Sequence, residues 1–251
     1  AFGHHFDFIA IPIIKKRLRM DTSQVIINEE RPQLTKHLAT RFKEKIGQNV
    51  NLLGEVVLGN EEADHRYHHY LEALESPDIN YISVKISGIY AQTHALNYEE
   101  SFPELVSRMS ALYQKAIDFP YTDEDGIKRS KFINLDMEEY KDAHFTLRLF
   151  KAVLNLPQFK NYSAGIVVQA YLPDAYDFQT ELLEFAKARV DGGGAPIKMR
   201  LVKGCNLEME TVISSLKGWP NPIRPSKTEV DANYLCLLER GLMPENARVL
   251  H

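Results

Sequence analysis

The sequence contains little cysteine and no long apolar run, and both shortages exclude classes of protein. Cys205 and Cys236 are the only cysteines among 251 residues, which excludes a disulfide-stapled secreted scaffold and indicates a reducing, cytoplasmic environment. The most apolar stretch, residues 6–14, is interrupted by an aspartate and a proline and is too short to span a bilayer. Its basic residues follow the apolar ones, which is the reverse of a secretory signal.

Positive charge, nucleophile motifs and metal-ligand motifs are also scarce. The formal net charge is −4, whereas a nucleic-acid-binding domain is usually basic. No serine or cysteine lies in a nucleophile motif, and neither HExxH nor paired-cysteine spacing occurs. His65, His68 and His69 share a predicted helix without a metalloprotease glutamate, so a solvated helix face explains them better than a metal site. We therefore predict no metal and no nucleic-acid partner.

The sequence repeats one unit, a short apolar run with a polar residue near its end followed by a helical segment. The predicted strands are residues 51–55, 81–85, 132–136, 165–169, 197–200 and 247–250. The predicted helices are residues 61–74, a helix capped at Ser101, and residues 141–154, 177–190 and 231–240. Short, continuously apolar strands that alternate with helices predict βαβ units around a parallel sheet.

The polar residues favour a closed barrel over an open doubly wound sheet. Five of them stand at or near the carboxyl ends of successive predicted strands: Glu55, Lys85, Asp136, Gln169 and Arg200. In a (β/α)8 TIM-type barrel those ends meet on one rim and build the active site. The glycine-rich nucleotide loop of an open sheet is absent. We predict a (β/α)8 barrel that is incomplete at its C-terminus, because the sixth strand is only beginning where the sequence stops.

The region before the first strand is assigned to N-terminal helices. We predict a helical segment over residues 1–48 and a barrel domain over residues 49–251, with the last strands and helices lying outside the chain. The sequence begins without an initiator methionine, so we expect a piece of a longer polypeptide. Residues 6–20 are apolar and then basic, which is compatible with peripheral contact at a membrane, but a helix packed on the barrel is the simpler interpretation.

The chemistry of the predicted rim indicates a bound organic cofactor. The rim combines acids, bases and an amide: Glu55, Asp136, Glu138, Lys85, Arg200, Lys203 and Gln169. Opposite charges about 4 Å apart attract by roughly 4 kcal/mol at an effective dielectric constant near 20, which is enough to fix long side chains. Without a metal or a nucleophile, the reaction is assigned to a cofactor. A flavin fits, because cations beside its ring stabilise the charge of the reduced state.

Several sequence motifs resemble those of proline dehydrogenases, in the same order. They are Leu-Gly-Glu (53–55), Val-Lys-Ile-Ser (84–87), Asn-Leu-Asp-Met-Glu-Glu (134–139), Val-Gln-Ala-Tyr (168–171) and Met-Arg-Leu-Val-Lys-Gly (199–204). Residues 206–210 and 227–234 continue the resemblance. From about Arg19 to the end, the sequence is most similar to the proline dehydrogenase domain of bifunctional proline utilization A proteins.

The resemblance implies a distorted (β/α)8 barrel that holds FAD at the carboxyl ends of its strands. It also implies oxidation of L-proline to Δ1-pyrroline-5-carboxylate by hydride transfer to flavin N5, with electrons passed to a quinone. The family further implies a C-terminal aldehyde dehydrogenase domain in the parent chain of a bifunctional member. The expected location is cytoplasmic, with the inner membrane as a peripheral contact.

The resemblance also implies roles for individual residues. Lys85 should lie beside flavin N5 and pair with the proline carboxylate, and Asp136 should lie under the substrate pocket. Lys85, Asp136 and Arg200 are thus the expected catalytic set. The remaining expected positions are cofactor contacts (Gln169, Arg200, Lys203, Gly204), a substrate contact (Asn206) and supporting carboxylates (Glu55, Glu138).

Two departures from the family pattern keep other functions open. Many members have a tyrosine where this sequence has Asn206, and the family's paired carboxylate-binding arginines would lie beyond residue 251. One alternative is another flavin barrel, such as a methylenetetrahydrofolate reductase-like enzyme. A second alternative is a non-catalytic scaffold fragment.

Overall fold

The chain divides into two compact units, residues 1–48 and residues 49–251. The computed structural model describes residues 7–22, 26–27, 31–52, 59–91 and 97–250. The first unit contains helix α1 (Asp7–Thr22) and helix α2 (Arg31–Lys43). Within the described ranges, no helix is both long enough and apolar enough to cross a membrane.

The second unit is built on a five-stranded parallel sheet. Its strands are β1 (Val50–Asn51), β2 (Tyr81–Val84), β5 (Phe132–Leu135), β6 (Gly165–Gln169) and β7 (Lys198–Val202), in the spatial order β1-β2-β5-β6-β7. Strands β3 (Tyr121–Thr122) and β4 (Lys128–Arg129) form a separate antiparallel hairpin. The prediction of a mixed α/β fold with a parallel sheet is confirmed, whereas the closed barrel stays a prediction.

Six helices of the described chain belong to this unit, and two of them follow β7 in succession. They are α3 (Asn60–Glu75), α4 (Tyr98–Asp118), α5 (Ala143–Leu154), α6 (Ala175–Asp191), α7 (Leu207–Lys217) and α8 (Lys227–Gly241). The expected N-cap at Ser101 is wrong, because α4 begins three residues earlier and Ser101 Oγ donates to the carbonyl of Asn97 at 3.0 Å. Ser101 is therefore a buried residue of the helix interior.

The first and last predicted strands differ most from the structure. Strand β1 covers Val50 and Asn51, and residues 53–58 lie outside the described part of the chain. At the other end, Leu250 forms a single parallel bridge with Ile197. The backbone N–H of Leu250 donates to the carbonyl of Asn246 at 3.0 Å, so this segment closes a turn where an extended strand was expected.

The register of the sheet separates a polar face from an apolar face. Ser83 lies beside Asn134, and the flanking residues Ile82 and Ile133 also lie side by side. Because successive side chains of a strand point to opposite faces, the buried isoleucines share the apolar face. The polar face, which we call the site face, carries the functional candidates.

Candidate active site

The site face brings together polar side chains from all five strands of the sheet and the residues that follow them. They are Asn51, Ser83, Lys85, Asn134, Asp136, Gln169 and Arg200. Lys85 and Asp136 each follow the last residue of a strand, and the backbone N–H of Asp136 donates to the carbonyl of Val84 at 2.8 Å. The carboxyl ends of β2 and β5 therefore lie side by side.

Asp136 is the centre of this arrangement. Its Oδ1 accepts from Asn134 Nδ2 at 2.8 Å and from Arg200 Nη1 at 3.3 Å. Its Oδ2 accepts from Asn51 Nδ2 at 3.4 Å. Arg200 Nη1 also lies 3.5 Å from Ser83 Oγ. A single carboxylate thus gathers donors from β1, β5 and β7.

The environment of Asp136 makes its carboxyl a weaker acid than an ordinary aspartate in spite of these donors. Burial raises the pKa of the Asp136 carboxyl above its ordinary value, because desolvation disfavours the charged form. The positive charges of Arg200 and Lys85 and the hydrogen bonds of Ser83 and Asn134 act in the opposite direction. The charge of Asp136 is thus sensitive to any change in these neighbours.

Lys85 stands where β2 turns away from the sheet. It is half-buried and precedes a 3-10 turn over Ile86–Gly88. Burial raises the pKa of the neighbouring Tyr70 to about 12, although a backbone hydrogen bond with Lys85 acts to lower it. Tyr70 is fully buried in α3, and a Cβ built on Gly88 would lie 3.0 Å from its hydroxyl. Helix α3 therefore supports the backbone that carries Lys85.

Glu138 and Gln169 connect the loop after β5 to its neighbours. Glu138 Oε1 accepts from Ser87 Oγ at 2.8 Å, and its Oε2 accepts from the Ser87 N–H at 3.1 Å. Gln169 Nε2 donates to the carbonyls of Met137 and Glu138, both at 3.2 Å. Gln169 is 1% exposed, and its Oε1 has no hydrogen-bond partner in the described part of the chain. An acceptor on the site face is therefore available to a ligand.

Lys203 and Gly204 lie past the end of β7 and have other neighbours. Lys203 Nζ donates to Asp231 Oδ1 on α8 at 2.5 Å and lies 5.9 Å from the ring centroid of Tyr234. Gly204 has a φ of +128°, and a Cβ there would lie 2.4 Å from the ring of Tyr171. The backbone at Gly204 thus packs directly on an aromatic ring, which only glycine permits.

Asn206 and Glu55 complete the set of expected residues. Asn206 is the half-buried N-cap residue of α7, and the Sγ of Cys205 lies 3.6 Å from its Oδ1. Glu55 lies outside the described residues. The structure thus brings Lys85, Asp136 and Arg200 together, places Gln169 and Glu138 beside them, and places Lys203 against α8.

Sequence reasoning missed three polar residues around Asp136. Asn51, Ser83 and Asn134 lie within short runs that the apolar pattern predicts as buried strands. The available signal was the alternation in Phe-Ile-Asn-Leu-Asp (132–136), in which polar residues recur at every second position. That period places them on one face of a strand.

Comparison with known proteins shows which chains this one resembles. Residues 34–251 match the family model for proline dehydrogenase, and no curated protein sequence matches the chain. Proline utilization A from Corynebacterium freiburgense is 38% identical with a TM-score of 0.85, over 100% of this chain and 26% of that chain. The Bdellovibrio bacteriovorus protein, inactivated by N-propargylglycine, is 30% identical with a TM-score of 0.83, over 97% and 26%.

The proline utilization A structure from Bradyrhizobium japonicum is more distant. It is 23% identical with a TM-score of 0.69, over 80% of this chain and 20% of that chain, and therefore supports the fold alone. The chain spans about a quarter of the length of the first two solved relatives. The family match covers most of the residues, including every site residue described above, and so the chain belongs to the proline dehydrogenase family.

Proposed function

We propose that this chain oxidises L-proline to Δ1-pyrroline-5-carboxylate with a bound FAD. The observation that carries the proposal is the convergence of Lys85, Asp136 and Arg200 on one face of the sheet in a member of this family. The two cations and one carboxylate of the site are complementary in charge to proline, which carries a carboxylate and an ammonium group. We further propose that the sheet belongs to a (β/α)8 barrel, as strand-end chemistry of this kind is typical of that fold.

The residues on the site face fit a flavin. Within the described part of the chain, Gln169 offers a buried acceptor without a partner, and the Arg200 side chain, which is 42% exposed, has unused donors. An amide acceptor and a guanidinium donor suit the mixed donors and acceptors of a flavin ring. When bound, FAD supplies the two-electron acceptor that these side chains lack.

We assign the remaining cofactor contacts to Lys203 and Gly204. Gly204 packs its backbone directly against the Tyr171 ring just after β7, at the end of the sheet where we place the cofactor. Lys203 already pairs with Asp231, so its contact with the cofactor would require that it share or leave this partner.

Lys85, Asp136 and Asn206 are the proposed substrate contacts. The ammonium group of Lys85 binds the proline carboxylate and stabilises negative charge that develops beside it. Asp136 holds Arg200 in place and so keeps two cations apart at a fixed distance. Glu138, through its two hydrogen bonds with Ser87, fixes the turn that follows Lys85, and Glu55 is proposed as a second supporting carboxylate.

The longer relatives suggest the wider context. We propose that the chain acts as one domain of a bifunctional proline utilization A protein with a C-terminal aldehyde dehydrogenase domain. Its electrons would pass to a quinone, from a cytoplasmic position peripheral to the inner membrane. The membership of the chain in the proline dehydrogenase family disfavours both a methylenetetrahydrofolate reductase-like enzyme and a non-catalytic scaffold.

A visible spectrum of the purified, flavin-loaded protein tests the proposal. Anaerobic addition of L-proline should bleach the flavin absorbance, whereas methylenetetrahydrofolate should leave it unchanged. Bleaching by the folate alone would support the reductase alternative. A protein that binds flavin and is bleached by neither compound would contradict proline oxidation.

A further inference from the structure

Asn134 is a fully buried amide on the site face of β5. Its Nδ2 donates to Asp136 Oδ1 at 2.8 Å, while its Oδ1 has no hydrogen-bond partner among the residues that the structure describes. An ionised carboxylate can only accept, so the amide nitrogen must face Asp136 and the amide oxygen must face elsewhere. An unpaired buried acceptor costs stability, and the protein retains one here.

The space for this amide depends on Gly165 of β6, which lies beside Asn134 in the register. A Cβ built on Gly165 would lie 2.6 Å from Asn134 Oδ1 and 3.0 Å from Cε1 of Phe132. Any larger residue would therefore displace the amide or the ring. A glycine inside a strand weakens that strand. The unpaired amide oxygen of Asn134 and the glycine within β6 are both locally unfavourable, and together they preserve one hydrogen bond to Asp136.

We propose that Asn134 is a positioning residue that holds the Asp136 carboxylate toward Arg200, in space that Gly165 leaves open. The proposal rests on the proposed oxidation of proline, in which Asp136 and Arg200 take part. The same carboxylate oxygen accepts from both Asn134 and Arg200. When the Asn134 donor is lost, the Asp136 side chain is freer to rotate. The Arg200 guanidinium then no longer has a partner in a fixed position.

The hydrogen bond from Asn134 also stabilises the ionised form of Asp136. The titratable or charged groups that act on this carboxyl from the packed elements are Tyr81 of β2, Lys85 directly after β2, Arg200 of β7 and Tyr70 of α3. They are unchanged when only Asn134 is replaced. Removing its donor therefore raises the pKa of Asp136, because the remaining interactions oppose burial less effectively.

Asn134→Leu is the direct test, because leucine has the same branching and lacks both the donor and the unpaired oxygen. In the flavin-loaded protein, kcat/KM for L-proline at pH 7 should fall about ten-fold, the usual scale for a hydrogen bond to a charged group. In the pH profile of kcat/KM, the acidic limb (the rise of activity from low pH) should move to higher pH. The carbon-13 signal of the Asp136 carboxyl should likewise titrate at higher pH. Gly165→Ala should shift both titrations in the same direction.

The matched control is Asn246→Leu at a remote buried amide. Asn246 Nδ2 donates to the carbonyl of Arg240 at 2.7 Å, and its Oδ1 is also unpaired within the described ranges. This variant should lose stability and leave the acidic limb and the Asp136 titration unchanged. A purely structural role for Asn134 predicts the same behaviour for both variants.

The proposal would be overturned if Asn134→Leu had the same Asp136 titration and the same acidic limb of the kcat/KM profile as the unmodified protein. If that variant does not fold, Asn134→Asp keeps the shape and replaces the donor with a second carboxylate, so the Asp136 midpoint must rise, and an unraised midpoint would count as failure. If proline does not reduce the flavin of the unmodified protein, the proposed function fails, while the carbon-13 titration still decides the role of Asn134.

Discussion

Arg200 Nη1 lies 3.3 Å from Asp136 Oδ1, although β6 separates the strands that carry the two residues. Arg200 lies beside Val167 of β6, and the preceding site-face residue of that strand is Gly165. The intervening strand therefore presents a small side chain and a bare backbone below the guanidinium. This allows a long arginine to reach across β6, and it makes the pair depend on three strands at once.

Asp136→Asn should stabilise the protein at pH 7 and weaken its activity. A carboxyl whose pKa is raised on folding favours the fold fully below its unfolded pKa, and this contribution is lost as pH rises through the folded pKa. Asparagine removes the cost of the buried charge. The gain in the free energy of unfolding, measured with urea, should shrink as pH falls toward 3.8, the ordinary carboxyl value.

Asp231→Asn is a control in which the free energy of unfolding at pH 7 should change in the opposite direction. Hydrogen bonds from Lys203 and Lys227 lower the pKa of Asp231, so this carboxylate favours the fold above its unfolded pKa. Its replacement should reduce the free energy of unfolding at pH 7. A loss of stability at pH 7 in both variants would contradict the buried-charge account of Asp136.

Lys85→Met should retain FAD and slow its reduction by L-proline at least about 10²-fold, the scale for losing one preorganised electrostatic contact. The measurement is anaerobic stopped-flow bleaching of the flavin. Lys198→Met is the matched control, because Lys198 also belongs to the site face but lies 5.4 Å and 5.5 Å from the ring centroids of Tyr81 and Phe132. Equal rates for the two variants would remove Lys85 from its proposed role.

Gly204→Ala should destabilise the protein by about 2–4 kcal/mol, since it combines overpacking with a strained backbone. The new Cβ would meet the Tyr171 ring at 2.4 Å with φ at +128°. Gly218→Ala separates the two effects, because Gly218 has a φ of +64° and nothing within 4 Å. Thermal unfolding should show a loss of about 1 kcal/mol there. Similar losses at both glycines would show that contact with Tyr171 matters little.

In the unmodified protein, the free energy of unfolding should gain a contribution from Lys131 as pH rises into the alkaline range, and Lys131→Met should remove that contribution. Lys131 is 1% exposed and its Nζ donates to the carbonyl of Ser76, the C-cap residue of α3. Burial lowers the pKa of Lys131 to about 8, so the unfolded chain binds more protons than the fold between pH 8 and the ordinary value of 10.5. Stability from this group therefore increases over that interval.

Urea unfolding at several pH values checks the Lys131 prediction. Lys115→Met is the control, since Lys115 Nζ forms a partly exposed ion pair with Glu75 Oε1 at 2.6 Å. The control should keep the alkaline rise that the Lys131 variant loses. The same pH profile in both variants would contradict a buried titration at Lys131.

The strands and most helices were predictable because their apolar residues pack inward. Helix α7 was not predicted, and three of its apolar residues, Met209, Val212 and Leu216, are more than half exposed. A helix that presents apolar residues to solvent lacks the periodic signal of a core-facing helix. The hairpin β3–β4 was also missed, since two-residue polar strands are held by their turn and carry no hydrophobic pattern.

The site was predictable where it depends on strand ends and unpredictable where it depends on tertiary contacts. Lys85, Asp136 and Arg200 were expected to meet because each stands at or near the carboxyl end of a strand. The pairing of Lys203 with Asp231 depends on how α8 packs, which no local pattern encodes. The proposed role of Asn134 depends on a glycine in the next strand, a relationship that is visible only once the register is known.

The Asp136–Arg200 pair has a consequence for biosynthesis. The two residues are 64 positions apart in sequence, and β6 must dock between their strands before they meet. When β5 and β6 of a nascent chain have left the ribosome but β7 has not, Asp136 is present without Arg200. Because domains generally fold as units during translation, we expect the Asp136–Arg200 contact to form only after β7 emerges, and the proposed cofactor to bind late in synthesis.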